Sequence, residues 1–258
     1  MALRTDLASE KQGLQFSKED KDIVRSEVVD ADHNRYVTYE SNIIKQGETE
    51  KYSKLTRCIS KTLLEFKGKK KNVLVVGLGN PNLTADSLGN ATVKRLVITR
   101  HIATHVKRIP SVSAIIPSVL GVTGIESFDV IKGVTERVKP DLVIAVDSLA
   151  SATVGRIASV FQLCDGGITP GSGVSNHRQR LSKETLGVEV ISIGVPLVVY
   201  ATTIIEEASG KNEEYTEEIS SLIVTPKEID ILVEECGKII SSAINFAYLG
   251  EENFSEIF

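Results

Sequence analysis

Two aspartates in this sequence stand where a pair of carboxylates can do acid–base chemistry. Asp86 lies a few residues past the apolar run 73–78, at the expected start of a helix, and Asp147 directly follows the apolar run 142–146. In open α/β sheets, sites form beyond the carboxyl ends of the strands, and both aspartates fall there. Two carboxylates brought together at one sheet edge cannot both ionise easily, so they share a proton. The protonated one can polarise a carbonyl while the ionised one takes a proton from water. Taken singly, each fits a helix cap at least as well, because an aspartate in a first helical turn accepts hydrogen bonds from otherwise unpaired N–H groups. The chemistry belongs to the pair.

Other constellations are weaker. His101 and His105 stand four apart, but Ile102-Ala103-Thr104 between them lacks the glutamate of the zinc-peptidase motif H-E-x-x-H, so an exposed helix face is the simpler reading. His33 and His177 are isolated. There is no G-x-S-x-G for a serine nucleophile and no G-x-x-x-x-G-K-[ST] for a phosphate loop. Gly77-Leu78-Gly79-Asn80 lacks the third glycine of a dinucleotide-binding turn. In the Gly-rich stretch 166–173, Gly171, Ser172 and Gly173 are candidates for a substrate-binding loop. Glycine lets a peptide backbone approach closely and offers N–H donors. A plain surface loop is the equal alternative.

These residues need a scaffold. The runs 73–78, 112–116, 142–146, 160–163 and 188–193 read as strands, and the first is apolar throughout, as in a parallel sheet buried on both faces. Residues 36–44 form a further strand candidate. Apolar spacing through Leu55, Ile59, Leu63 and Phe66 predicts a helix over 53–66. Helices are also expected over 84–99 with Thr84 as N-cap, over 126–138, and over 226–248 with Pro226 in the first turn. Strands alternating with helices imply βαβ units, hence a three-layer α/β fold with a mostly parallel twisted sheet. Residues 1–258 are read as one α/β unit, with the N-terminal segment packed around the sheet.

Hydrophobic residues make up 41% and charged residues 25%, and a chain of this length buries a full core without disulfides or metals. A net charge of -4 argues against a broad basic surface for direct nucleic-acid binding. The basic run 67–71 reads as a solvated turn. Three dispersed cysteines fit a reducing compartment. The N-terminus has no apolar stretch for a signal peptide, and the uncharged run 190–205 is short for a membrane span and broken by Gly194 and Pro196. These features point to the cytoplasm and to no membrane partner.

Several motifs occur together and in order: Val75-Val76-Gly77-Leu78-Gly79-Asn80 with Thr84-Ala85-Asp86-Ser87-Leu88-Gly89, then Ile144-Ala145-Val146-Asp147-Ser148-Leu149-Ala150, then Ile168-Thr169-Pro170-Gly171-Ser172-Gly173-Val174, then Ser182-Lys183-Glu184-Thr185-Leu186-Gly187 with Ile193-Gly194-Val195-Pro196. In these the sequence resembles the spore germination proteases, atypical aspartic endopeptidases that degrade small acid-soluble spore proteins. The resemblance covers most of residues 72–202. It implies a fold similar to that of the hydrogenase-maturation peptidases, catalytic roles for Asp86 and Asp147, no cofactor and no metal. It also implies a homotetramer, a location in the forespore or spore core, and synthesis as a zymogen that trims its own N-terminus. Thr5-Asp6-Leu7-Ala8-Ser9-Glu10 looks like the family's substrate site, so the bond Asp6–Leu7 is the expected self-cleavage point and residues 1 to about 6 the pro-segment. That stretch is short for a pro-segment, and Pro81, Ala85 and Asn90 depart from the pattern around the first aspartate. Two alternatives stay open: a metal-dependent maturation-type peptidase using Asp86, Asp147 and a histidine, and an inactive binding homologue.

Overall fold

The structure is a computed structural model that describes residues 5–10, 15–103, 105–106, 108–171, 179–210 and 214–250. Its centre is a sheet built from β1 (Gln15–Asp20), β2 (Ile23–Val29), β3 (Arg35–Glu40), β4 (Asn72–Gly77), β5 (Ser111–Ile115), β6 (Leu142–Ser151), β7 (Val160–Cys164), β8 (Glu189–Tyr200) and the short β9 (Ile223–Val224). The order across the sheet is β1-β2-β3-β7-β8-β6-β4-β5, with β9 paired to β8.

The expectation of a mostly parallel sheet is wrong. Only β4/β5, β4/β6 and β6/β8 are parallel, while β1/β2, β2/β3, β3/β7, β7/β8 and β8/β9 are antiparallel. The sheet is mixed because β7 runs antiparallel to β8 and because the N-terminal segment joins β7 as a meander instead of packing around the sheet. The β2–β3 connection shows the local cause. Asp30 accepts N–H bonds from Asp32 and Asn34, both at 2.9 Å, and His33 takes a left-handed conformation at φ 64°, which closes a tight turn between adjacent antiparallel strands.

Helices cover both faces. Along β4, Val73 and Val75 point to a core shared with α1 (Tyr52–Lys67), α2 (Leu88–Val93) and α9 (Ile229–Leu249). Leu74 and Val76 point to the opposite core, closed by Phe128 and Ile131 of α5 (Ser127–Val138) and Leu186 of α6 (Lys183–Leu186). The other helices, α3 (Arg100–Ala103), α4 (Leu120–Thr123), α7 (Ala201–Ser209) and α8 (Glu217–Ser221), are short. Among the described residues, no helix is long and apolar enough to cross a membrane.

Three element boundaries differ from expectation in ways that matter to the site. The helix expected over 84–99 is a 3-10 turn, Thr84–Asp86, followed by α2, and Thr84 caps neither. Beyond α2 the backbone turns to tertiary partners: Val97 N–H donates to Asn245 Oδ1 at 3.0 Å and Thr99 N–H to the Val112 carbonyl at 3.0 Å. β6 runs five residues past Val146, so Asp147 lies inside a strand. β8 continues through Pro196 to Tyr200, with a bulge opposite Leu149 and Ala150.

Candidate active site

Asp86 is held by glycines. The loop leaving β4 turns at Gly79, φ 104°, where a Cβ would lie 1.8 Å from the carbonyl oxygen of Asp86. One step back, a Cβ on Gly77 would lie 2.5 Å from the carbonyl oxygen of Gly89, and one on Gly89 2.4 Å from the backbone of Leu78. Backbone therefore rides on backbone where α2 begins, and only glycine permits that approach. The half-buried Asp86 carboxylate accepts the Asn80 N–H at 2.9 Å, which ties it back to the same loop. So Gly77-Leu78-Gly79-Asn80, which fails as a dinucleotide turn, packs and orients an aspartate.

Asp147 is 4% exposed and stands opposite Gly194 in the parallel β6/β8 register. Its Oδ1 accepts the N–H of Ser148 at 3.0 Å. The hydroxyl of Ser148 is buried and has no hydrogen-bond partner among the described residues. Leu78 N–H donates to the Val146 carbonyl at 2.9 Å, which carries the Asp86 loop alongside the strand segment that bears Asp147. Both aspartates line one cavity of about 420 Å3, together with Gly79, Leu83 and Ser148. Gly171 lines it too, at φ 68°, whereas Ser172 and Gly173 lie outside the described residues.

The same cavity takes in Asp6. Residues 5–10 lie against the end of β6 that runs past β4 and is paired there with β8. Asp6 N–H donates to the Ala150 carbonyl at 3.0 Å, and Ala150 N–H donates back to Asp6 Oδ2 at 2.8 Å. The side chain of Asp6 thus substitutes for a strand carbonyl. The carbonyl of Asp6, which belongs to the Asp6–Leu7 peptide bond, accepts a hydrogen bond from Gln162 Nε2 at 3.2 Å. Gln162 on β7 and the strand end Ala150–Ser151 gave no signal in the sequence. They act on residues some 150 positions away, and only the fold brings the two together.

Among the described residues, no histidine lines this cavity. His101 and His105 are exposed, and His177 is outside the described residues. Among the described residues, no three His, Cys, Asp or Glu side chains form a group able to hold a metal ion. The three cysteines are free thiols, and burial pushes Cys164 up to about 11.

An α/β scaffold with two carboxylates in one cavity, and a peptide segment laid across the cavity's rim, defines a candidate peptidase. A family model described as germination protease matches residues 5–210, and the chain belongs to that family. Similar proteins include the germination proteases of Caldanaerobacter subterraneus, 40% identical over 82% of this chain and 77% of the relative, and of Clostridium acetobutylicum, 39% identical over 85% and 77%. The germination protease of Halalkalibacterium halodurans is 36% identical over 83% and 77%. Among solved structures, the [NiFe] hydrogenase maturation protease HycI from Thermococcus kodakarensis aligns with a TM-score of 0.42 at 21% identity, over 71% of this chain and 99% of that one.

Proposed function

We propose that this chain is an endopeptidase that starts the degradation of small acid-soluble spore proteins during germination, with Asp86 and Asp147 as its catalytic pair and with self-cleavage at Asp6–Leu7. The observation that carries this reading is that both carboxylates line one cavity with Asp6, the residue on the acyl side of the expected scissile bond. In the reaction, the ionised carboxylate takes a proton from water as the water oxygen bonds to the carbonyl carbon. The protonated carboxyl donates a hydrogen bond to the carbonyl oxygen, which gains charge. The tetrahedral carbon then loses the amide nitrogen, which leaves with a proton passed on from the pair, giving a carboxylic acid and an amine. Asp147 is buried, so its carboxyl is withdrawn from bulk water at the cavity that Asp86 also lines. Gly171, with Ser172 and Gly173 of the same loop, is proposed to border the bound peptide. The reading includes a catalytic unit spanning the chain, loss of residues 1–6 on self-cleavage, and assembly into a homotetramer.

The test is cleavage of a small acid-soluble spore protein and of the chain's own N-terminus, followed by mass spectrometry. Asp86→Asn and Asp147→Asn should each abolish both, a loss of at least about a thousandfold given the size of acid–base effects. Full activity in either variant removes that residue from the mechanism. Activity unaffected by a chelator separates the aspartate pair from a metal-dependent peptidase on the same scaffold, and no product at any pH would leave a binding homologue.

A further inference from the structure

Residues 5–10 are contacted one by one. Leu7 is fully buried against Leu149, Val160 and Ile168. The Gln162 amide bridges two peptide groups of the segment: Nε2 donates to the Asp6 carbonyl, and Oε1 accepts the Ala8 N–H at 2.7 Å. The Ser9 hydroxyl oxygen accepts from Arg156 Nη1 at 2.9 Å. Glu10 then inserts a carboxylate whose side chain is only 7% exposed. Donors converge on it: Ala152 N–H at 2.9 Å, the Ser151 hydroxyl at 3.0 Å, the Thr153 hydroxyl at 3.3 Å and the Thr5 hydroxyl, with the Arg156 guanidinium forming an ion pair at 3.6 Å. A carboxylate leaves water at high cost unless its oxygens are paired, so this is a formed anion site. All of these donors except Thr5 belong to the body of the protein. Leu149, Ala150 and Asp6, at one end of this contact surface, also line the cavity of Asp86 and Asp147.

We propose that this groove, formed by Leu149 to Thr153, Arg156 and Gln162, is the recognition site for an apolar–Ala–Ser–Glu sequence following the cut, and that the chain's own residues 7–10 fill it. The segment and a substrate peptide then compete for one site. Leu149, Val160 and Ile168 select the apolar residue, Gln162 sets the register of the peptide across the bond to be cut, and Arg156 with the Ser151–Thr153 turn selects the glutamate. Gln162 and Arg156 are positioning and specificity residues and not part of the catalytic pair. The proposal takes its substrate from the peptidase reading, but binding can be measured without hydrolysis.

The experiment uses the full chain carrying Asp147→Asn to stop cutting, with and without Leu7→Ser and Glu10→Gln to loosen the segment. The probe is a fluorescein-labelled peptide containing Thr-Asp-Leu-Ala-Ser-Glu, followed by anisotropy. Loosening the segment should raise affinity at least about tenfold. A peptide with glutamine for the final glutamate should bind at least about tenfold more weakly, the scale of a hydrogen-bonded charge. Arg156→Gln in the protein should erase that preference. The peptide substitution leaves the protein untouched, so a folding defect cannot imitate it. Equal affinity for the two peptides, or no gain on loosening the segment, overturns the proposal. Cutting measured in parallel on chains that retain Asp147 separates the two readings. Selective binding without cutting keeps the groove and rejects the peptidase, while cutting indifferent to the glutamate keeps the peptidase and rejects the groove.

Discussion

Gly79 shows what a single residue does for the site. At φ 104°, with the Asp86 carbonyl oxygen 1.8 Å from any Cβ, alanine meets both backbone strain and a backbone clash. Gly79→Ala should lower stability by about 1–3 kcal/mol or more. It should lower peptide cleavage further than that loss explains, because the Asn80 N–H that holds Asp86 moves with the loop. Gly133 is the control. It sits exposed within α5 with open space around it, so Gly133→Ala should raise stability by about 0.5–1 kcal/mol and leave cleavage unchanged. Melting curves and a cleavage assay on the same samples read both effects. The sequence showed these glycines as a motif but not what they pack against. It placed Asp147 after a strand when the strand runs on, since Ser148, Leu149, Ala150 and Ser151 carry no mark of β pairing and gain it only from β8.

At the scale of elements, short runs rich in apolar residues made β4, β5, β6 and β7 readable, and helical spacing did the same for α1, α5 and α9. β1, the edge strand, and β2 beside it, with the sequences QFSKED and IVRSEVV, were missed because antiparallel strands with a face toward solvent need no continuous apolar run. Polar pairs help hold that edge. Glu27 on β2 pairs across to Arg35 on β3 at 2.9 Å and along its own strand with Arg25 at 2.5 Å. Partial burial alone would raise the Glu27 carboxyl, but the hydrogen bonds from Arg35 and Arg25 outweigh it and hold the group below its ordinary value. The unfolded chain therefore takes up this proton more readily than the folded one. The pair's contribution is complete above the ordinary carboxylate range and is lost as pH falls through the lowered folded value. Glu27→Gln should cost about 0.5–1 kcal/mol at pH 7, a modest figure because both partners are partly exposed to solvent. The gap between variant and wild-type melting temperatures should narrow as the pH falls below the ordinary carboxylate range. A gap that persists there would mean that shape, and not charge, holds the edge.

At the scale of the molecule, β8 joins two different half-sheets. On one side it pairs in parallel with β6, and on the other antiparallel with β7, so the cavity with Asp86 and Asp147 and the groove with Gln162 meet at this seam. Nothing in the five residues of β7, VFQLC, encodes its direction. That direction is set by contacts such as Arg35 N–H to Asp165 Oδ1 at 2.8 Å, between residues 130 apart, which no local pattern reveals. The seam tests whether the chain folds as one unit. Ile193 faces Val146 on β6 and Leu163 on β7 and is fully buried. Ile193→Ala leaves a cavity worth about 2–5 kcal/mol. With a single cooperative core, denaturant midpoints fall with an unchanged slope, and amide exchange protection drops by the same free energy in β3 and in β4. If β3 keeps its wild-type protection while β4 loses it, the antiparallel half folds on its own and the one-unit reading fails. The docked segment would then bridge two folding units, because Gln162 belongs to the half with β3 and Asp147 to the half with β4.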